Sequence, residues 1–245
     1  MDKYSLNARI YPVVILLLPL VVIGVTYSLE YEEYIQILST LGITSALLYF
    51  LSNVGRDSGK PKEPKLWQKW GGMPTAQLLS YKNEIIDKHT KQKYHRELQN
   101  LSPIDDTSID FENVDLSEVI EVYKSWTKYL ISKTRDTKKY ALQFKENISY
   151  GFRRNLWGLK TLSIFLLLIC MIGNYVFQGI KNGFLSYDTF SVQFFISESI
   201  LILLLAVWIF IIDSNWIKIP AFAFGERLLE SIDSITQHNR VDGPG

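Results

Sequence analysis

Apolar residues in this chain gather into four blocks almost free of charge, at residues 11–27 (YPVVILLLPLVVIGVTY), 35–51 (IQILSTLGITSALLYFL), 159–177 and 194–212. Each is close to the roughly 20 residues with which an α-helix crosses about 30 Å of hydrocarbon. A short acidic link, LEYEE, joins the first two, and residues 178–193 join the last two, so each pair predicts a helical hairpin. A cleaved signal peptide competes for the first block, but no A-x-A-like site follows it and a second apolar block comes at once. The pattern therefore predicts a mainly α, polytopic membrane protein with four transmembrane helices and a small, mostly helical cytosolic domain between helices 2 and 3. Its expected parts are a first hairpin at 1–52, the cytosolic domain with an N-terminal linker at 53–158, a second hairpin at 159–213 and a cytosolic amphipathic tail at 214–245.

Lysine and arginine near the ends of spans favour the cytoplasmic side. Lys3 and Arg9 precede the first block, Arg56, Lys60, Lys62, Lys65 and Lys69 follow the second, Arg153, Arg154 and Lys160 attend the start of the third, and Lys218 and Arg227 follow the fourth. The two links hold only Lys181. Both termini and the middle region are thus expected in the cytoplasm, with residues 28–34 and 178–193 outside. Composition adds two exclusions. A formal net charge of +1 gives no global pull toward nucleic acid, and no duplex is expected as a partner. The single cysteine, Cys170, rules out an intramolecular disulfide and argues against a thiolate metal site.

Within the blocks, Pro12, Pro19 and Gly24 either kink the first helix or are tolerated near its ends. Asn174, Gln178 and Glu198 are the polar residues of the second hairpin that invite a functional reading, because an ionisable group in a span is by default a pathway or pairing residue. The alternative is that Glu198 snorkels or is hydrated about one turn from the interface, where Ser197 and Ser199 add polarity, or that with Ser191 and Gln193 these residues make the helix start late.

The middle opens with NVGRDSGKPKEPK, whose Gly, Pro and Lys read as an extended linker near anionic lipid. LWQKWGGMPTAQLL follows. Trp67 and Trp70 share a helical face, to pack in the domain or to sit at the membrane interface, and Pro74 with Thr75 can begin a new helix. Gly71, Gly72 and Thr75 also make a candidate anion-binding turn, although the lysine and glycine spacing of a P-loop is missing. KHTKQKYHRELQNL predicts a helix with a basic face and a Tyr94–Leu98 stripe; His89 and His95 have no partners at metal-ligand spacing. The acids of PIDDTSIDFENVDLSEVIEV do not fit a calcium loop and read as a solvated lead into a helix whose Val119, Val122, Tyr123, Trp126 and Leu130 share one side. Arg135, Lys138, Lys139, Arg153 and Arg154 are interleaved with Tyr140, Phe144, Tyr150 and Phe152, a mixture that suits lipid headgroups, nucleotide phosphates and bases, or structural ion pairs. Asn147-Ile148-Ser149 is a glycosylation triplet on the expected cytoplasmic side, where it would go unused. In the tail, Leu228, Leu229, Ile232 and Ile235 alternate with charged residues as an amphipathic helix does.

LWQKWGGMPT, TKQKYH, TRDTKKY and ENISYGFRRNLWGLK resemble segments of a group of bacterial four-span membrane proteins marked by WGGxPT and ENxxYGFRRN. The likeness covers mainly residues 66–98 and 134–160. It implies a bacterial inner-membrane location and brings no catalytic residues with it. More loosely, the layout is similar to transmembrane effectors of anti-phage defence, which implies an oligomer whose cytosolic domain receives a nucleotide signal or a soluble protein and whose spans perturb the bilayer. A non-catalytic anchor recruiting a cytosolic partner is the alternative. No Ser-His-Asp or Cys-His set, metal motif or nucleotide fingerprint is present, so no enzyme and no cofactor are expected.

Overall fold

The structure is a computed structural model and describes residues 2–28, 41–103, 109–184 and 189–241. The described residues are mainly helical and contain no strand. The helices are α1 (Tyr11–Ser28), α2 (Leu41–Gly59), α3 (Glu63–Trp70), α4 (Pro74–Leu79), α5 (Lys88–Leu101), α6 (Leu116–Lys133), α7 (Ala141–Asn182), α8 (Val192–Ala206) and α9 (Ser214–Val241). A π-helical turn, Ser5–Ile10, leads into α1 and another, Val207–Ile211, extends α8. Among the described residues, three stretches are long and apolar enough to cross a membrane: Ser5–Tyr27, Ala141–Asn182 and Val192–Ile211. They mark the chain as membrane-associated. Of the block expected at 35–51, residues 35–40 lie outside the described residues and the rest belongs to α2.

The chain forms two compact units. The first comprises Met1–Lys62 and Gly151–Ile217. Its core joins Val13 and Leu16 of α1, Leu156, Leu159, Leu167 and Cys170 of α7, and Leu201, Trp208 and Ile212 from the last apolar stretch. Large apolar side chains also cover the outside, among them Val25, Phe165, Ile172, Leu203 and Phe210. An outside as apolar as the inside suits hydrocarbon rather than water.

α2 and α7 meet backbone to backbone. A Cβ on Gly158 would lie 2.7 Å from the amide nitrogen of Gly59 and 2.9 Å from the carbonyl oxygen of Gly55, closer than any side chain allows. Gly55 and Gly59 are the small-xxx-small spacing that lets helices approach this closely where burial of apolar surface cannot drive them together. The extended linker expected from residue 53 is therefore absent: α2 continues through Gly59, Lys60–Lys62 form a 3-10 turn, and α3 begins at Glu63. Glycine served contact here, where composition alone suggested flexibility.

The second unit comprises Glu63–Tyr150 and Lys218–Gly245. Leu66, Trp70, Leu78, Leu79, Leu98, Tyr123, Trp126 and Leu130 are buried, together with Leu228, Leu229 and Ile232 of α9. The apolar sides read for 116–133 and for the tail hold, apart from Val122, which is half-buried. α9 begins at Ser214, well before the amphipathic stretch itself. The basic face expected for α5 turns inward at Lys91 and His95, both buried, whereas His89 is exposed.

WGG resolves into a helix stop. Gly71 takes φ +90°, its N–H donates to the Gln68 carbonyl (3.2 Å), and the Gly72 N–H donates to the Trp67 carbonyl (2.7 Å). That pair of bonds is a Schellman cap, which needs a residue free to adopt positive φ. Pro74 then opens α4 at its first position, where its missing N–H costs nothing.

Candidate functional site

The polar residues singled out in the last two apolar stretches meet in one place. Asn174 and Gln178 lie on α7, Ser191 caps the start of α8 by accepting from the Phe194 N–H, and Ser197 and Glu198 follow one to two turns later. The Tyr27 hydroxyl of α1 donates to Asn174 Oδ1 (2.5 Å), while Asn174 Nδ2 donates to Ser197 Oγ (3.1 Å) and to Glu198 Oε2 (2.8 Å). Gln178 donates to Ser191 Oγ and accepts from Asn182 Nδ2 (2.8 Å). Asn174, Gln178 and Ser197 are buried and Glu198 is half-buried. α8 starts at Val192, so Glu198 sits inside the helix rather than ahead of it.

Amides spaced four apart on α7 present one face to α8. They turn an otherwise apolar seam into a chain of donors and acceptors that ends on a carboxylate. Such a seam can pin three helices in register, solvate a cation, or line a wet path. Tyr27 is the member that sequence reasoning passed over, since nothing along the chain signals a contact across 147 positions.

The five basic residues read as one segment divide. Arg135, Lys138 and Lys139 are exposed and belong to the second unit. Asp136 accepts from the N–H groups of Lys138 and Lys139, which holds its carboxyl below the usual carboxylate range and caps the approach to α7. Lys139 rests over the Tyr140 ring at 5.5 Å. Arg153 and Arg154 belong to the first unit. Arg153 lies 4.7 Å over Trp216 and donates to its carbonyl (2.7 Å), so its aromatic partner is a tryptophan from beyond the last apolar block.

At the candidate anion turn, the N–H groups of Gly71 and Gly72 close the α3 cap, the Gly72 carbonyl accepts from Gln77 Nε2 (2.6 Å), and the buried Thr75 hydroxyl pairs with Thr127 (2.9 Å). These groups hold the fold together. A cluster that the sequence did not announce lies in the same unit. His95 is ringed by Tyr81, Phe111, Tyr123 and Trp126, with centroids between 5.0 and 5.7 Å away. Its Nδ1–H donates to the Lys91 carbonyl (2.8 Å), which leaves Nε2 to accept from the Tyr123 hydroxyl (3.0 Å). Burial lowers the His95 and Lys91 pKa values and raises that of Tyr123, in each case favouring the neutral form. Lys91 donates to the carbonyls of Ser80 and Asn83 and so closes the end of α4. Among the described residues, no three His, Cys, Asp or Glu side chains are placed to hold a metal ion.

No family model, curated protein or solved structure matches this chain. The chemistry of the two units is therefore what bears on function.

Proposed function

We propose that the chain is a membrane effector or channel-like protein that works as an oligomer, with a cytosolic domain that senses a ligand or partner and spans that perturb or permeabilise the bilayer, as in the anti-phage effectors whose layout it shares. The observation that carries this reading is the Tyr27–Asn174–Glu198 seam. Amides and a carboxylate inside apolar helices are costly to hold away from water, and leucines would pack the same helices at less cost. In this reading residues 35–51 supply a fourth span, both termini lie in the cytoplasm of a bacterial inner membrane, and the second unit is the cytosolic domain. Arg135, Lys138 and Lys139 offer exposed cations to a nucleotide or protein signal. Four spans of one chain do not enclose a pore, so several copies contribute to the path.

The test is dye release from liposomes carrying the purified full chain, alongside the mass of the nanodisc-embedded particle with and without cyclic and linear nucleotides. Several copies per particle and release above that of empty vesicles are expected. Asn174→Leu should cut release several-fold at unchanged mass. A monomer that retains the dye and captures one soluble protein in stoichiometric amount would replace this reading with that of a membrane anchor.

A further inference from the structure

One end of the first unit gathers more positive charge than negative. Contacts place the start of α1, the end of α2, the middle of α7 and the stretch after α8 together there: Tyr4 and Ala8 against Gly151, Gly55 and Gly59 against Gly158, Lys160 on the Ile212 carbonyl, and Arg153 on Trp216. These elements bring Lys3, Arg9, Arg56, Lys60 and Lys62 to that end, with Asp2, Asp57 and Asp213 as the unit's acids there among the described residues and Glu63 next along the chain. Lys3, Arg9, Lys60 and Lys62 reach no carboxylate among the described residues, and Arg56 has only its chain neighbour Asp57. In the second unit Lys82, Lys88, Lys93, Lys124 and Arg227 each pair with an acid, while Arg135, Lys138 and Lys139 stay exposed.

Two of these cations are held against rings: Arg9, which also feels the Asp2 carboxylate, lies 5.6 Å over Tyr4, and Lys62 Nζ lies 5.3 Å over Trp157. A ring face orients a cation without neutralising it. Tyrosine and tryptophan settle at headgroup depth, and the exposed apolar surface begins directly beyond, at Tyr11 and Val14 on α1 and Leu162 and Phe165 on α7. Like charge concentrated in this way repels itself unless anions stand opposite.

We propose that this end of the unit binds the phosphate headgroups of anionic phospholipids, with Arg9, Lys60 and Lys62 as the principal contacts. The inference rests on the membrane part of the functional reading and not on permeabilisation. The experiment is native mass spectrometry of the full chain taken from mixed phosphatidylcholine and phosphatidylglycerol nanodiscs, with dye release measured on the same preparations. Several-fold enrichment of retained phosphatidylglycerol is expected, lost when sodium chloride is raised to about 0.5 M, where the screening length falls to only a few ångströms.

The triple variant Arg9→Gln, Lys60→Gln, Lys62→Gln should weaken retention about fivefold per charge removed. Its circular dichroism in phosphatidylcholine should match that of the wild type, and Lys124→Gln with Lys128→Gln should leave enrichment unchanged. Equal retention of both lipids, enrichment indifferent to salt, or a folded triple variant that retains phosphatidylglycerol normally would overturn the proposal. So would displacement by inorganic phosphate or adenosine monophosphate as readily as by lipid, which would make the surface a site for soluble anions. Dye release without lipid preference would remove this inference alone, and lipid preference without release would remove the permeabilising function alone.

Discussion

Protonating His95 would place a charge among four aromatic rings, with its two nitrogens already committed to the Lys91 carbonyl and the Tyr123 hydroxyl. The folded pKa is held below the ordinary value of about 6.5, so the unfolded chain takes up a proton first as pH falls. The contribution to stability is complete above about pH 6.5 and is lost as pH drops from there toward the folded value. The carboxylates of Asp87, Asp110, Glu112, Asp115 and Asp136 are lowered by hydrogen bonds, so their own losses come at more acidic pH. We expect the thermal midpoint followed by tryptophan fluorescence to fall between pH 7.5 and 5.0, and His95→Gln to flatten that slope. A wild-type midpoint constant across this range would contradict the account. Sequence reasoning placed His95 away from metals, but the hydroxyl that donates to its Nε2 belongs to Tyr123, 28 residues away on another helix. Spacing along one helix gives no sign of such a pairing.

Among elements, the α2–α7 crossing makes the sharpest prediction. Gly158→Val must push backbone away from backbone, which costs about 1–3 kcal/mol or more, whereas a Cβ on Gly24 meets nothing within 4 Å. Gly24→Ala should therefore be neutral or stabilising by up to about 1 kcal/mol. Denaturation of the two variants in detergent, followed by circular dichroism, distinguishes them; equal midpoints would mean that the crossing carries little of the fold. The same contact explains a misreading. Gly55-Arg56-Asp57-Ser58-Gly59 stands in a stretch so rich in Gly, Pro and Lys that composition points to a flexible linker, and only a partner glycine on α7 gives the spacing its meaning. α7 also runs unbroken for 42 residues because no proline or glycine pair interrupts it, although the character of its sequence changes from basic and aromatic to apolar on the way. Three of the four apolar blocks, by contrast, were legible because hydrophobic length is a local property of the chain.

For the whole molecule, the parity of the spans decides where the ends lie. Three crossings put the termini on opposite sides of a membrane and four put them on the same side. With residues 35–51 crossing, fluorescent-protein fusions at either end should both light up in the bacterial cytoplasm, and an alkaline phosphatase fused after residue 186 should be active outside. A dark fusion at one end would reduce the count to the three apolar stretches already seen. Charge bias in the sequence carries the expected orientation, whereas the division into two units could not be read there, since each is built from two separate lengths of chain.

The ammonium of Lys160 donates to the carbonyls of Ile209 (3.0 Å) and Ile212 (2.9 Å), capping the π-turn that ends the last apolar stretch. A ribosome makes that lysine 49 and 52 residues before the carbonyls that receive it. Until then α7 carries an unanswered charge at the entrance to its apolar half. The nascent hairpin thus gains its second arm and the partners of this lysine in a single event, and in a chain truncated after residue 182 the ammonium would be left to water and headgroups at the span end.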